Sequence, residues 1–158
     1  MFGLALAPYH GSRAMHDFHT LMIEHDRLDR LAIELLEIVA GEPDPATALA
    51  VRADLSVTLD DHLSKEDGFL YDRLLGNAEE DCYPARVREF HSCFAALAAD
   101  WKDYLQLWDN ECVSADWTGF VSETAAMMER LRARIKAEND LLYPLALQKN
   151  HIRLRAAA

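Results

Sequence analysis

With 158 residues, 51% of them hydrophobic, and a formal net charge of −11, the chain is sized for one domain with a substantial core, which excludes disorder as a description of the whole. The acidity argues against a nucleic-acid partner and against an anionic membrane surface, and it makes a cation the more natural guest. Three cysteines, Cys82, Cys93 and Cys112, form no CxxC pair; the odd count argues against a disulfide framework, favours a cytoplasmic location and leaves them as small apolar packing residues.

Residues 1–11 read as an N-terminal arm whose apolar run has no basic leader and is too short for a signal peptide or a membrane span. A first helix is expected from a Ser12 cap to Gly41, with Met22, His25, Leu28, Ala32 and Leu35 recurring at helical spacing on its inner stripe. GEPDP is a turn, and Pro45 opens a second helix that reaches toward Gly76. A third helix starts near Pro84, buries Val87, Phe90, His91, Phe94, Leu97, Ala98 and Trp101, and frays around Trp108. DNECVSADW reads as a loop. Ser114 or Asp116 caps a last helix from Trp117 to Tyr143, which Pro144 ends. No stretch shows the period-two alternation of a strand. The predicted fold is therefore all-α, an antiparallel up-down-up-down four-helix bundle over 12–148 with a basic tail at 149–158.

The chemistry concentrates in LDDHLSKEDGFLY, residues 59–71, where His62 and Glu66 stand four residues apart on the stripe of Leu55, Leu59, Phe69 and Leu70. At about 100° per residue both side chains return to one inward face. A buried carboxylate needs a partner or a metal. The stretch recurs without a gap as LRARIKAENDLLY, residues 131–143: Leu59 matches Leu131, Glu66 matches Glu138, Tyr71 matches Tyr143, and His62 matches Arg134. Two rough half-sites follow, His25 with His62 and Glu66, and His91 with Arg134 and Glu138. Imidazole and carboxylate on facing helices suit iron or another transition metal.

The HxxxE of helix two, one histidine on each of helices one and three, and the ExxxxYP ending of helix four resemble the hemerythrin-like (HHE cation-binding) domains, over nearly the whole chain. The resemblance implies a hemerythrin-like bundle holding a non-haem di-iron centre, and a protein that binds or senses dioxygen, nitric oxide or peroxide. It places His25, His62, Glu66, His91 and Glu138 at ligand positions, with iron as one or two ions or another transition metal in their place. No enzymatic activity is predicted.

Arg134 departs from the family pattern, which has a histidine there. Arginine stays protonated and offers no lone pair to a metal. Three arrangements stay open: one metal on two histidines and a carboxylate, two metals with a weaker second site, or Arg134 replacing a metal in an ion network with Glu138 and Glu66. Tyr71 and Tyr143 serve packing or hydrogen-bond to the ligands. Trp101, Trp108 and Trp117 read as bundle-end packing. Two rival classes are a metal-free interaction module and a histidine-phosphotransfer domain built on His62-Leu63-Ser64-Lys65, which would need an exposed His62.

Overall fold

The computed structural model of the protein describes residues 11–66 and 85–144, apart from the side chains of 11–18, 86, 87, 91 and 94. The expected arm, the run of helix two beyond Glu66, Tyr71, Cys82 and the basic tail fall outside those residues. Among the described residues every regular element is helical and no strand occurs. In chain order these are α1 (Gly11–Ala40), α2 (Pro45–Glu66), α3 (Ala85–Leu107), the short α4 (Asn110–Ala115) and α5 (Trp117–Ala137), which continues into a π-helical turn at Glu138–Leu142. No helix among the described residues is long and apolar enough to cross a membrane.

Burial follows helical periodicity. On α1 the buried positions are Leu21, His25, Leu28, Ala32, Leu35 and Val39, alternating steps of four and three that keep one face inward. Met22, expected on that stripe, is 54% exposed. The reason is geometric: two successive three-residue steps fall about 120° short of two full turns, so Leu21 and not Met22 shares the face of His25. On α2 the series is Ala48, Val51, Leu55, Leu59, His62 and Glu66, and on α5 it is Phe120, Thr124, Met128, Leu131 and Ile135. α1 packs along both α2 and α5, α3 packs on α5, and α4 touches α2 and α5.

The segment 109–116, expected as a loop, contains α4. The Asp109 carboxylate accepts the Cys112 N–H at 2.8 Å, which satisfies an otherwise orphaned donor and closes a helical turn. Asp116, one of the two expected caps, then starts α5 by accepting the Gly119 N–H at 2.9 Å. Gly119 is required there, because a Cβ would lie 2.9 Å from the Trp108 ring. Cys93 and Cys112 are exposed, against the expectation that they pack inside. Cys112 lies on the short α4, whose one buried residue is Val113.

One end of the molecule is aromatic. Trp101, Tyr104, Trp108 and Phe120 are buried, with Trp117 packed against them, as expected of the tryptophans. Arg52 is buried among them, donating to the Trp108 carbonyl at 2.6 Å and lying over the Tyr104 and Phe120 rings. The hydroxyls of Tyr104 and Thr124 pair at 2.7 Å. The polar core lies away from these aromatics, around His25, His62, Glu66 and Glu138.

Candidate metal centre

Three helices deliver four buried polar side chains to one place. His25 comes from the middle of α1, His62 and Glu66 from the last turns of α2, and Glu138 from the junction of α5 with its π-helical turn. His25 Nε2 lies 3.1 Å from His62 Nε2 and 3.0 Å from Glu138 Oε2. His62 Nε2 lies 3.7 Å from Glu66 Oε2 and 4.0 Å from Glu138 Oε2. One donor atom from each residue falls within 4.8 Å of all the others. Ligands held at ~2.0–2.2 Å by one ion stand roughly 3–4 Å apart, so the cluster is close to the required size.

The outer partners fix which way the histidines offer their lone pairs. His25 Nδ1 donates to Asn139 Oδ1 at 2.7 Å, and His62 Nδ1 donates to Glu24 Oε2 at 3.1 Å. Each ring proton is thereby committed outward, which turns both Nε2 lone pairs inward. Glu24 is itself held by Lys65, which also reaches Asp61 at 2.6 Å. Burial, with His25 alongside, lowers the His62 pKa and keeps that ring neutral.

The carboxylates differ. Burial and the neighbouring Glu138 push the Glu66 carboxyl well above the usual range. Burial would raise Glu138 too, but the His25 ring and the Arg134 guanidinium outweigh it and hold Glu138 lower than normal. Tyr143 stays protonated, its pKa raised by burial and by both glutamates. Its hydroxyl donates to His25 Nε2 at 3.0 Å and stands 3.4 Å from Glu66 Oε1. Glu66 Oε2 is buried with no hydrogen-bond partner.

Local backbone geometry explains how Tyr143 arrives. In an α-helix, residues five apart point about 140° away from each other. Here the Tyr143 N–H bonds to the Glu138 carbonyl in the i→i+5 pattern of a π-helix, so the wider turn brings Glu138 and Tyr143 to one face. The sequence suggested a continuous α-helix to Tyr143; the π-turn was not foreseen.

A family model matches this chain: the hemerythrin HHE cation binding domain, over residues 16–146. The chain belongs to that family. Comparison with curated proteins and with solved structures gave no match.

Whether this hemerythrin-family cluster fits a cation can be judged from its own atoms. Inward-facing lone pairs of two imidazoles, the unpartnered Glu66 Oε2 and Glu138 Oε2 crowd one point, and the donors among them are the Tyr143 hydroxyl and the proton that Glu66 retains. Electron-rich atoms this close repel unless a positive charge lies between them. The residues present fit a bound metal ion.

Of the expected ligands, the structure brings together His25, His62, Glu66 and Glu138. His91 lies on α3, but its side chain is outside the described residues. The two half-sites are not separate, because Glu138 faces His25 with one oxygen and Arg134 with the other. Arg134 pairs with Glu138, as one of the open arrangements had it, and also donates to the Phe90 carbonyl at 2.7 Å with its guanidinium over the Phe90 ring. Glu24, Lys65 and Asn139 were missed by sequence reasoning. Their signal was adjacency: Glu24 precedes His25, Lys65 precedes Glu66 and Asn139 follows Glu138.

Beside the cluster lies a void of about 20 Å³, lined by Leu28, Leu59, Leu97, Leu131 and Ile135 together with His62, Arg134 and Glu138. That is room for one water or a diatomic molecule. A wider groove of about 780 Å³ between α3 and α5 meets the outer side of Phe90 and Arg134. His62 is only 2% exposed, which removes the phosphotransfer reading, since a phosphoryl donor could not reach it.

Proposed function

We propose that this protein binds a transition-metal ion, iron in the first place, and uses it to bind or sense dioxygen, nitric oxide or peroxide. The ligands are His25, His62, Glu66 and Glu138, with His91 assigned to the set from the sequence. The domain spans 12–148 as an antiparallel four-helix bundle. The observation that carries the reading is the convergence of two inward-facing imidazole lone pairs on two buried carboxylates, one with an unpartnered oxygen. Family membership supports it independently.

The protein's own groups do most of what such a site needs. Asn139 and Glu24 hold the imidazoles in the tautomer that binds metal. Glu66, whose carboxyl retains its proton more strongly than usual, releases that proton when a cation takes its place. Tyr143 supplies a hydrogen-bond donor beside the cluster, as Tyr71 does by analogy of sequence position. The void beside the cluster, about 20 Å³ and lined by leucines and Ile135 along with His62, Arg134 and Glu138, is sized for a small molecule. When bound, iron supplies a redox-active centre with affinity for diatomic ligands. A cytoplasmic setting is supported by the exposed, unpaired thiols of Cys93 and Cys112.

Metal analysis after purification without chelator, followed by anaerobic titration of the iron(II) form with nitric oxide, tests this. Bound iron and a nitrosyl absorption band are expected. Absence of metal after reconstitution with iron, zinc, manganese and copper would favour the interaction module instead.

A further inference from the structure

Arg134 stands where the repeat would place a histidine, and its surroundings tell what it does there. Its side chain is 9% exposed. It pairs with the outer oxygen of Glu138 and is anchored from behind by the Phe90 carbonyl at 2.7 Å and by the Phe90 ring at 5.4 Å. The inner oxygen of the same carboxylate faces His25 at 3.0 Å. Glu138 therefore sits between the cluster on one side and a fixed, permanent positive charge on the other.

We propose that the Arg134 guanidinium occupies the place of a second cation, so that each chain holds a single metal ion, on His25, His62, Glu66 and Glu138. This rests on the metal-binding reading above and deepens it. Charge balance favours it. Two buried carboxylates against one guanidinium leave one negative charge, which a single divalent ion more than neutralises. A second divalent ion would leave a large excess of positive charge among buried side chains, where repulsion is weakly screened. Geometry favours it too. A carboxylate bridges two ions by giving one oxygen to each, and the outer oxygen of Glu138 is already committed to Arg134. The guanidinium also borders the small void beside the cluster, so a ligand admitted there meets a fixed cation on its outer side. Small anions and ligands that acquire negative charge on binding are favoured over neutral ones.

Stoichiometry and magnetism test the proposal without reference to any activity. The wild-type chain and Arg134→His are loaded with cobalt(II), desalted, and analysed for metal per chain and by electron paramagnetic resonance. The wild type should hold one ion with the half-integer-spin signal of an isolated centre. Arg134→His completes a second HxxxE with Glu138, and should rise toward two ions with a coupled, weakened signal. Two ions in the wild type would overturn the role given to Arg134 and leave metal binding standing. A folded Arg134→His chain that still holds one ion would also overturn it. No ion in either chain would overturn the metal-binding reading itself. If Arg134→His does not fold, the wild-type stoichiometry alone decides.

Discussion

Two regions of this molecule share α2 and α5 and hold together by different physics. At the aromatic end Trp108, Phe120 and Tyr104 are buried, and the buried Arg52 beside them has a carbonyl and two ring faces for partners. Burial there is mainly apolar, with the Trp101 Nε1 as a buried polar atom that has no hydrogen-bond partner. At the other end α1, α2 and α5 bury two imidazoles and two carboxylates at the same depth, with acceptors facing acceptors. Burial of that kind is unfavourable until a cation arrives. The comparison teaches that mainly apolar packing supplies stability in the first region, and that the second uses some of it to hold together a polar group that could take a metal ion.

Substitutions that act on one end and spare the other break or sharpen that contrast. Phe120→Ala, at a site with no solvent exposure and an edge contact to Trp108, should lower unfolding free energy by about 3–5 kcal/mol in a urea titration. Metal content of the surviving folded protein should not change. If it falls in step with stability, the two ends are not independent. His62→Ala should do the reverse. Its metal affinity should drop by more than about 100-fold, beyond what is typical when an outer partner is lost. A competition titration against a chelating dye measures this, and an unchanged affinity would remove His62 from the site.

Two smaller effects refine the picture. Glu24→Gln keeps the shape but removes the carboxylate that orients His62. It should weaken metal binding by ~10-fold with little change in thermal stability. Glu66→Gln replaces the carboxyl that burial and Glu138 make hard to ionise. The metal-free protein should then gain about 1 kcal/mol while its metal affinity falls. A loss of stability in the metal-free state would show that Glu66 is a structural residue and that the contrast between the ends is misdrawn.

Much of the fold and part of the site were legible in the chain. His62 and Glu66 at i,i+4 among leucines had to share an inward face, and the matching stretch at 131–143 brought Glu138 with it. Legibility failed where a local or tertiary hydrogen bond overruled the pattern. Asp109 turned an expected loop into α4 by capping it. Met22 fell outside because the phase of α1 is set by the whole stripe from Leu21 to Val39. Glu24 and Asn139 carry no pattern of their own; they matter because α1 packs on α2 and on α5.

The amino-acid sequence by itself determined the helical class, the family and the inward facing of His25, His62, Glu66 and Glu138, because helical periodicity is a local property that residue spacing encodes directly. Only the tertiary structure decided that Glu138 serves His25 and Arg134 at once, that a π-turn swings Tyr143 onto the cluster, and that the imidazole lone pairs meet. Those are distances between atoms up to 118 positions apart in the chain, and packing between rods, not spacing along them, sets them.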